Sequence, residues 1–128
     1  MKKREAAFTT KFILWAKHNW HDGSALFEVK VASEGKPISF GAIKPHQLAN
    51  LRNAHQFIYK LSDAGMTTMP CDVVCIQNGA GYLVFNYGSK QFYIFEVNEF
   101  MRMVESYPRK SIHESDAHSL ATLTGTLA

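Results

Sequence analysis

Cysteine is scarce in this chain. Cys71 and Cys75 are the two thiols in 128 residues, too few for a disulfide framework or a zinc site. A reducing, cytoplasmic setting fits that usage. Long apolar runs are also missing. No stretch approaches about 18 consecutive apolar residues, so no transmembrane helix is expected and no membrane partner. The basic start, MKKREAAFTT, has neither an apolar h-region nor a small-residue cleavage site and does not read as a signal peptide. Neither sign of charge dominates: 14 basic against 11 acidic residues leave +3. So mild a balance permits a polyanionic partner without requiring one. Internal repeats, low-complexity segments, a Walker-type loop and a G-x-S-x-G elbow are absent. The pairs His18/His21 and His113/His118 lack carboxylates at metal-ligand offsets.

What is present reads as one globular domain over residues 1–128, with 46% hydrophobic and 20% charged residues, long enough for a single core. Residues 2–18 predict a helix. Glu5, Phe8, Phe12 and Trp15 share one face of a 3.6-residue period. Glu5 ends that stripe, where a solvated carboxylate would suit the helix dipole. Strands are predicted at ALFEVKV (25–31) and ISFGAI (38–43), followed by a helix from KPHQ with Pro45 in its first turn and its end near Gln56. Leu48, Leu51, His55 and Ile58 mark its inner face. FIYKLS (57–62) reads as extended. DVVCIQ (72–77), the turn NGAG and YLVFNY (82–87) carry the Asn-Gly hairpin signal. QFYIFEV (91–97) is a further strand. Asn98 can cap a helix over EFMRMVES, and Ser111 with Glu114 forms a capping box for a last helix, IHESDAHSLATL. The expected fold class is α/β (α+β): a mixed β-sheet flanked by helices.

The stretch FEVKV carries the candidate chemistry. Glu28 and Lys30 are two apart, so a strand points both to one face. One reading is a solvated ion pair. The other is part of a phosphodiester-hydrolysing site. Such a site needs Mg²⁺ on a few carboxylate oxygens and a lysine that orients water or stabilises developing charge. A second acidic strand residue is then required. Asp72 opens DVVCIQ, where strand-end capping is the plainer role; Asp63 and Asp22 are rivals that also read as turn residues. Gln47, in the first turn of the second helix, can donate to a metal-bound water or a phosphate, or be a surface amide. Lys36, Lys44, Arg52 and Lys60 can contact phosphates, or be ordinary surface cations.

FEVKVASEGKPISFGAIKPHQLANL resembles the catalytic segment of Holliday junction resolvases of the PD-(D/E)XK nuclease superfamily, in its phage and recombination-protein-U-like branch. An acidic-x-lysine strand, a second strand and a Pro-His-Gln helix start follow one another at this spacing. The likeness covers roughly residues 4–60 and runs more loosely through FEVNEFMRMVE. It implies a restriction-endonuclease-like fold and a Mg²⁺-dependent DNA endonuclease, with Mn²⁺ substituting. Holliday junctions would be cut to 5′-phosphate and 3′-hydroxyl ends. It implies Glu28, Lys30, Gln47 and Glu5 as site residues, the Val29 carbonyl as an extra metal ligand, branched DNA as partner and a homodimer. The location would be cytoplasmic, in a bacterial or archaeal host cell if the protein is phage-encoded. One part departs from the pattern. The superfamily Asp precedes the E-x-K strand, where this chain has the short WHDGSA; PCDVVCIQNGAGYLVF instead resembles the Asp-bearing hairpin of archaeal resolvases, with Phe85, Asn86 and Tyr87 where those carry E-x-K. Asp72 is therefore expected to reach the site from a neighbouring strand. Tyr82, Tyr87, Phe92 and Tyr93 either furnish a dimer surface or pack the core. The alternatives are a same-fold nuclease for other branched, flap or mismatched DNA, and a catalytically inactive DNA-binding protein.

Overall fold

The computed structural model describes residues 2–20, 25–54, 58–60, 73–75 and 80–127. Helix α1 (Lys2–Asn19) leads into strand β1 (Ala25–Val31). A two-residue strand β2 (Ile38–Ser39) and a 3₁₀ turn at Phe40–Ala42 precede α2 (Pro45–Arg52). Strands β3 (Ile58–Lys60) and β4 (Val73–Cys75) follow, then the long strands β5 (Ala80–Asn86) and β6 (Gln91–Glu96). The chain closes with α3 (Val97–Ser106), β7 (Ser111–Ile112), α4 (Glu114–Leu120) and β8 (Leu123–Thr126).

The main sheet has the order β1-β5-β6-β8. β1 runs parallel to β5, while β5–β6 and β6–β8 are antiparallel. The architecture is thus mixed α and β, with a four-stranded mixed sheet and helices on both faces. Phe8 and Phe12 of α1 pack with Val29, Val31, Val84, Phe92 and Ile94 on one face. The rings of Phe12 and Phe92 meet edge-on with centroids 5.3 Å apart, a favoured aromatic geometry. The opposite face carries Leu83, Phe85, Tyr93 and Phe95 under Leu51 of α2, Phe100 of α3 and Ala117 of α4. Cover on both faces explains why β5 and β6 read as nearly unbroken apolar runs. Gly81 is needed where α2 meets β5: a Cβ there would stand 2.2 Å from the Leu51 carbonyl oxygen. Among the described residues, no helix is long and apolar enough to cross a membrane.

Several expectations are corrected. The hairpin predicted between 72–77 and 82–87 does not form. β4 pairs antiparallel with β3 in a separate two-stranded sheet, and β5 pairs with β1 and β6. The strand predicted over 38–43 stops after two residues, because Ser39 Oγ accepts the Gly41 N–H and caps a 3₁₀ turn. α2 ends at Arg52; His55 and Gln56 lie outside the described residues. Glu96, rather than Asn98, caps α3 by accepting the Glu99 N–H at 3.0 Å. Ser111 belongs to β7, paired with Ser39, so the residue before α4 is His113 and no capping box forms there. Leu123 lies in β8 rather than in the last helix. Tyr87, Phe92 and Tyr93 are core residues, not surface, since both sheet faces are covered; Tyr82 is half-buried.

Candidate functional site

Period-two alternation divides β1 cleanly. Val29 and Val31, with Phe27 beside them, turn toward α1. Leu26 and Ala32 belong to the opposite cluster, and Glu28 and Lys30, at even positions between them, share that face. In the parallel register Glu28 lies beside Leu83 and Lys30 beside Phe85, two fully buried core residues. The charged pair therefore stands on a helix-covered face, not on a solvated one.

Two features let these charges persist. β1 ends the strand order of the main sheet, and both side chains are long enough to lay their stems on apolar surface while their heads reach water. The Lys30 side chain is 16% exposed and that of Glu28 29%. Lys30 Nζ stands 3.8 Å from Glu28 Oε2. That is close enough for Coulombic attraction but beyond ordinary hydrogen-bond reach. The carboxylate oxygens keep acceptor capacity and the ammonium keeps donors.

At the end of β1 a cleft of about 440 Å³ opens, lined by Glu5, Lys30, Ser33, Lys36, Pro37 and Ser39 among others. It brings Glu5 from α1, Lys30 from β1 and Lys36 from the following turn to one place. Glu5 is half-buried, at the end of the stripe that Phe8 and Phe12 bury. Gln47 is half-buried too, but its Oε1 accepts the Lys44 N–H at 2.9 Å, which makes it a helix-start residue first. Lys44, just before α2, and Arg52, its last residue, are exposed. Val29 is buried toward α1, its carbonyl lying between the two charged residues in the chain. Lys60 contributes its backbone to β3. Asp22, Asp63 and Asp72 lie outside the described residues.

Among the described residues, no three His, Cys, Asp or Glu side chains gather to hold a metal. Mg²⁺ does not demand such a cage: it takes one or two carboxylates, octahedrally, and retains waters. Glu28 fits as one such ligand, a hard oxygen donor that solvent reaches. Glu5 is the carboxylate that the same end of β1 brings to the Lys30 cleft.

Other polar side chains fasten the far end of the chain to the sheet. The Tyr93 hydroxyl donates to Glu114 Oε2 at 2.8 Å, Tyr107 donates to Asp116, and Tyr87 donates to the Ile112 carbonyl at 3.0 Å. Burial, then the Glu114 bond, pushes the Tyr93 phenol up to about 12. Burial foremost raises Tyr87, and the Asp116 hydrogen bond foremost raises Tyr107. These phenols are neutral pins for β7 and α4. Sequence reasoning missed Arg4, whose Nη1 donates at 2.8 Å to the Oγ of Ser33, a residue that lines the Lys30 cleft. Its signal was available, since Arg4 and Lys11 are seven apart, two turns along one helix face. No protein-family model matches the chain, and no curated protein or solved structure matches it significantly.

Proposed function

We propose that the chain is a metal-dependent DNA endonuclease of restriction-endonuclease-like fold that hydrolyses phosphodiesters in branched DNA, four-way junctions foremost. The observation that carries this reading is the placement of Glu28 and Lys30. A carboxylate and an ammonium stand 3.8 Å apart on the helix-covered face of an edge strand, beside Leu83 and Phe85. Charges are rare in such places because desolvation opposes them, and functional sites are where they are retained. The mixed sheet and the arrival of Glu5 from the first helix at the Lys30 cleft agree with it.

In this reading Glu28 is a metal ligand, joined by an aspartate, Asp72 by expectation, and by the Val29 carbonyl. When bound, Mg²⁺ or Mn²⁺ supplies charge neutralisation and a more acidic water. Lys30 holds the attacking water or the phosphate oxygen on which charge develops. Water adds its oxygen to phosphorus, the bond from phosphorus to the 3′ oxygen breaks, and 5′-phosphate and 3′-hydroxyl ends result. Gln47 and Glu5 complete the site. Two copies acting as a homodimer would make the paired cuts that a symmetric junction requires.

The test is cleavage of end-labelled four-way, flap, mismatched and linear DNA in Mg²⁺, in Mn²⁺ and in EDTA. Junction-selective cutting that EDTA abolishes supports the reading. Preference for flaps or mismatches moves the chain to a same-fold nuclease of another target, and junction binding without cutting in either metal makes it an inactive binding protein. Asp72→Asn, Asp63→Asn and Asp22→Asn in the same assay identify the second ligand; a fully active Asp72 variant removes Asp72 from the site.

A further inference from the structure

We infer that the cleft lined by Arg4, Lys11 and Lys90 is the track along which a DNA strand's phosphates approach the Glu28–Lys30 site. This rests on the DNA-binding half of the reading above, and not on hydrolysis. The cleft has a volume of about 670 Å³ and presents those three cations against one carboxylate, Glu34. All three cations are exposed. Among the described residues the one ion pair is Glu28–Lys30, so none of the three cations is tied to Glu34 and the lining keeps a net positive charge. Arg4 spends one guanidinium N–H on Ser33 and keeps its other donors.

The walls are built rather than incidental. Arg4 and Lys11 lie on one helix face, about 10 Å apart along the axis. That distance spans about three phosphate steps at 3.4 Å per strand. Lys90 comes from the turn between β5 and β6, which a buried side chain holds. Asn86 Nδ2 donates to the Ser89 and Gln91 carbonyls at 2.7 and 2.9 Å, and its Oδ1 accepts the Gly88 N–H at 3.0 Å. Gly88 has φ +88°, and a Cβ there would stand 3.0 Å from the Glu34 nitrogen, so the turn lies tight on the segment after β1. Ser33 lines both this cleft and the one holding Glu5, Lys30 and Lys36. The two adjoin, and a strand lying over Arg4, Lys11 and Lys90 passes Ser33 into the site. Phe8, the aromatic among the described residues that line the cleft, is buried, so these residues offer no stacking platform and read backbone charge without base sequence.

The experiment measures binding of a fluorescein-labelled four-way junction in EDTA, from 50 to 300 mM KCl, by anisotropy. Neutralising Arg4, Lys11 and Lys90 together to glutamine should weaken binding at least tenfold at 100 mM. It should also lower the slope of log K against log salt by about 2 to 3, the release expected for three phosphate contacts. Arg4→Lys with Lys11→Arg and Lys90→Arg should keep the wild-type slope, which separates charge from misfolding. Glutamine at Lys17, Arg102 and Lys110, an equal loss of charge outside the cleft, should leave the slope unchanged. A triple cleft variant with the wild-type slope overturns the inference even if the protein cleaves DNA. Cleft-dependent binding by a protein that never cleaves upholds it while the nuclease reading falls. A wild-type chain that binds no junction at 50 mM overturns both.

Discussion

Replacing both charges of the β1 pair with apolar side chains, Glu28→Leu with Lys30→Met, separates a functional pair from a stabilising one. At 3.8 Å two unit charges attract by about 4 kcal/mol at an effective dielectric near 20. Withdrawing each ion from water costs several kcal/mol, a cost softened here because the side chains remain 29% and 16% exposed. The net worth of the pair is therefore near zero. Leucine and methionine beside Leu83 and Phe85 add apolar burial of about 1 kcal/mol. The double variant should be as stable as the wild type or up to about 2 kcal/mol more stable. For 128 residues, with about 2.1 cal/mol/K of unfolding entropy per residue, each kcal/mol moves Tm by about 4 °C. Lys30→Met alone leaves an unpaired carboxylate among apolar neighbours and should cost about 1–3 kcal/mol. Urea unfolding followed by tryptophan fluorescence reads both variants, and nuclease activity should vanish in both. A double variant destabilised by more than about 1 kcal/mol would show that the pair serves the fold, and the reasoning from its costly placement would be refuted.

Gly81→Ala should destabilise by about 2 kcal/mol or more, because the Cβ meets the Leu51 carbonyl at 2.2 Å and α2 must move off β5; thermal unfolding reads it, and an unchanged Tm contradicts the packing. Gln47→Ala should cost about 0.5–1 kcal/mol through the lost acceptor for the Lys44 N–H, and Gln47→Glu, which keeps an acceptor there, should restore stability. Alkaline stability should be shaped by the hydrogen-bonded phenols of Tyr87, Tyr93 and Tyr107. The Tyr93 phenol is held up to about 12 against an ordinary 10.0, so the native state keeps its proton longer than the unfolded chain. Its contribution is complete below pH about 10 and is lost as pH rises toward 12. Tyr93→Phe should flatten that fall, with Tyr87 and Tyr107 supplying the remainder, and an unaltered pH–stability profile would contradict the assignment.

The local pattern carried much of the fold but little of its pairing. The stripe of Phe8, Phe12 and Trp15 announced α1, and the apolar runs around Leu83 and Ile94 announced two strands. Their partners were not legible. β5 pairs in parallel with β1, a non-local contact with no turn to mark it. The Asn-Gly signal favoured a hairpin, yet Val73–Cys75 pairs with Ile58–Lys60. β8, LTGT, has too little apolar alternation to be read as a strand; it forms where β6 offers an edge. Ser111 and Glu114 satisfy a capping pattern on paper, while pairing with Ser39 takes Ser111 into β7. At the site, the spacing of Glu28 and Lys30 fixed that they share a face. That helices cover this face as well as the one under α1 was hidden, because it depends on where Leu51 and Phe100 pack. Lys90 was not legible because the β5–β6 turn that brings it to the cleft of Arg4 and Lys11 is distant from them in the chain.

The central claim is that Glu28 and Lys30 belong to a phosphodiester-cleaving site. Single-turnover cleavage of a labelled four-way junction in Mg²⁺, comparing the wild type with Glu28→Gln and Lys30→Gln, tests it most directly. The wild type should cut. Each variant, still folded by circular dichroism and still binding the junction, should cut at least about 100-fold more slowly, the scale of losing one preorganised charge at a reacting phosphate. A wild type that never cuts in Mg²⁺ or Mn²⁺, or a Glu28→Gln variant that cuts at the wild-type rate, would contradict the claim.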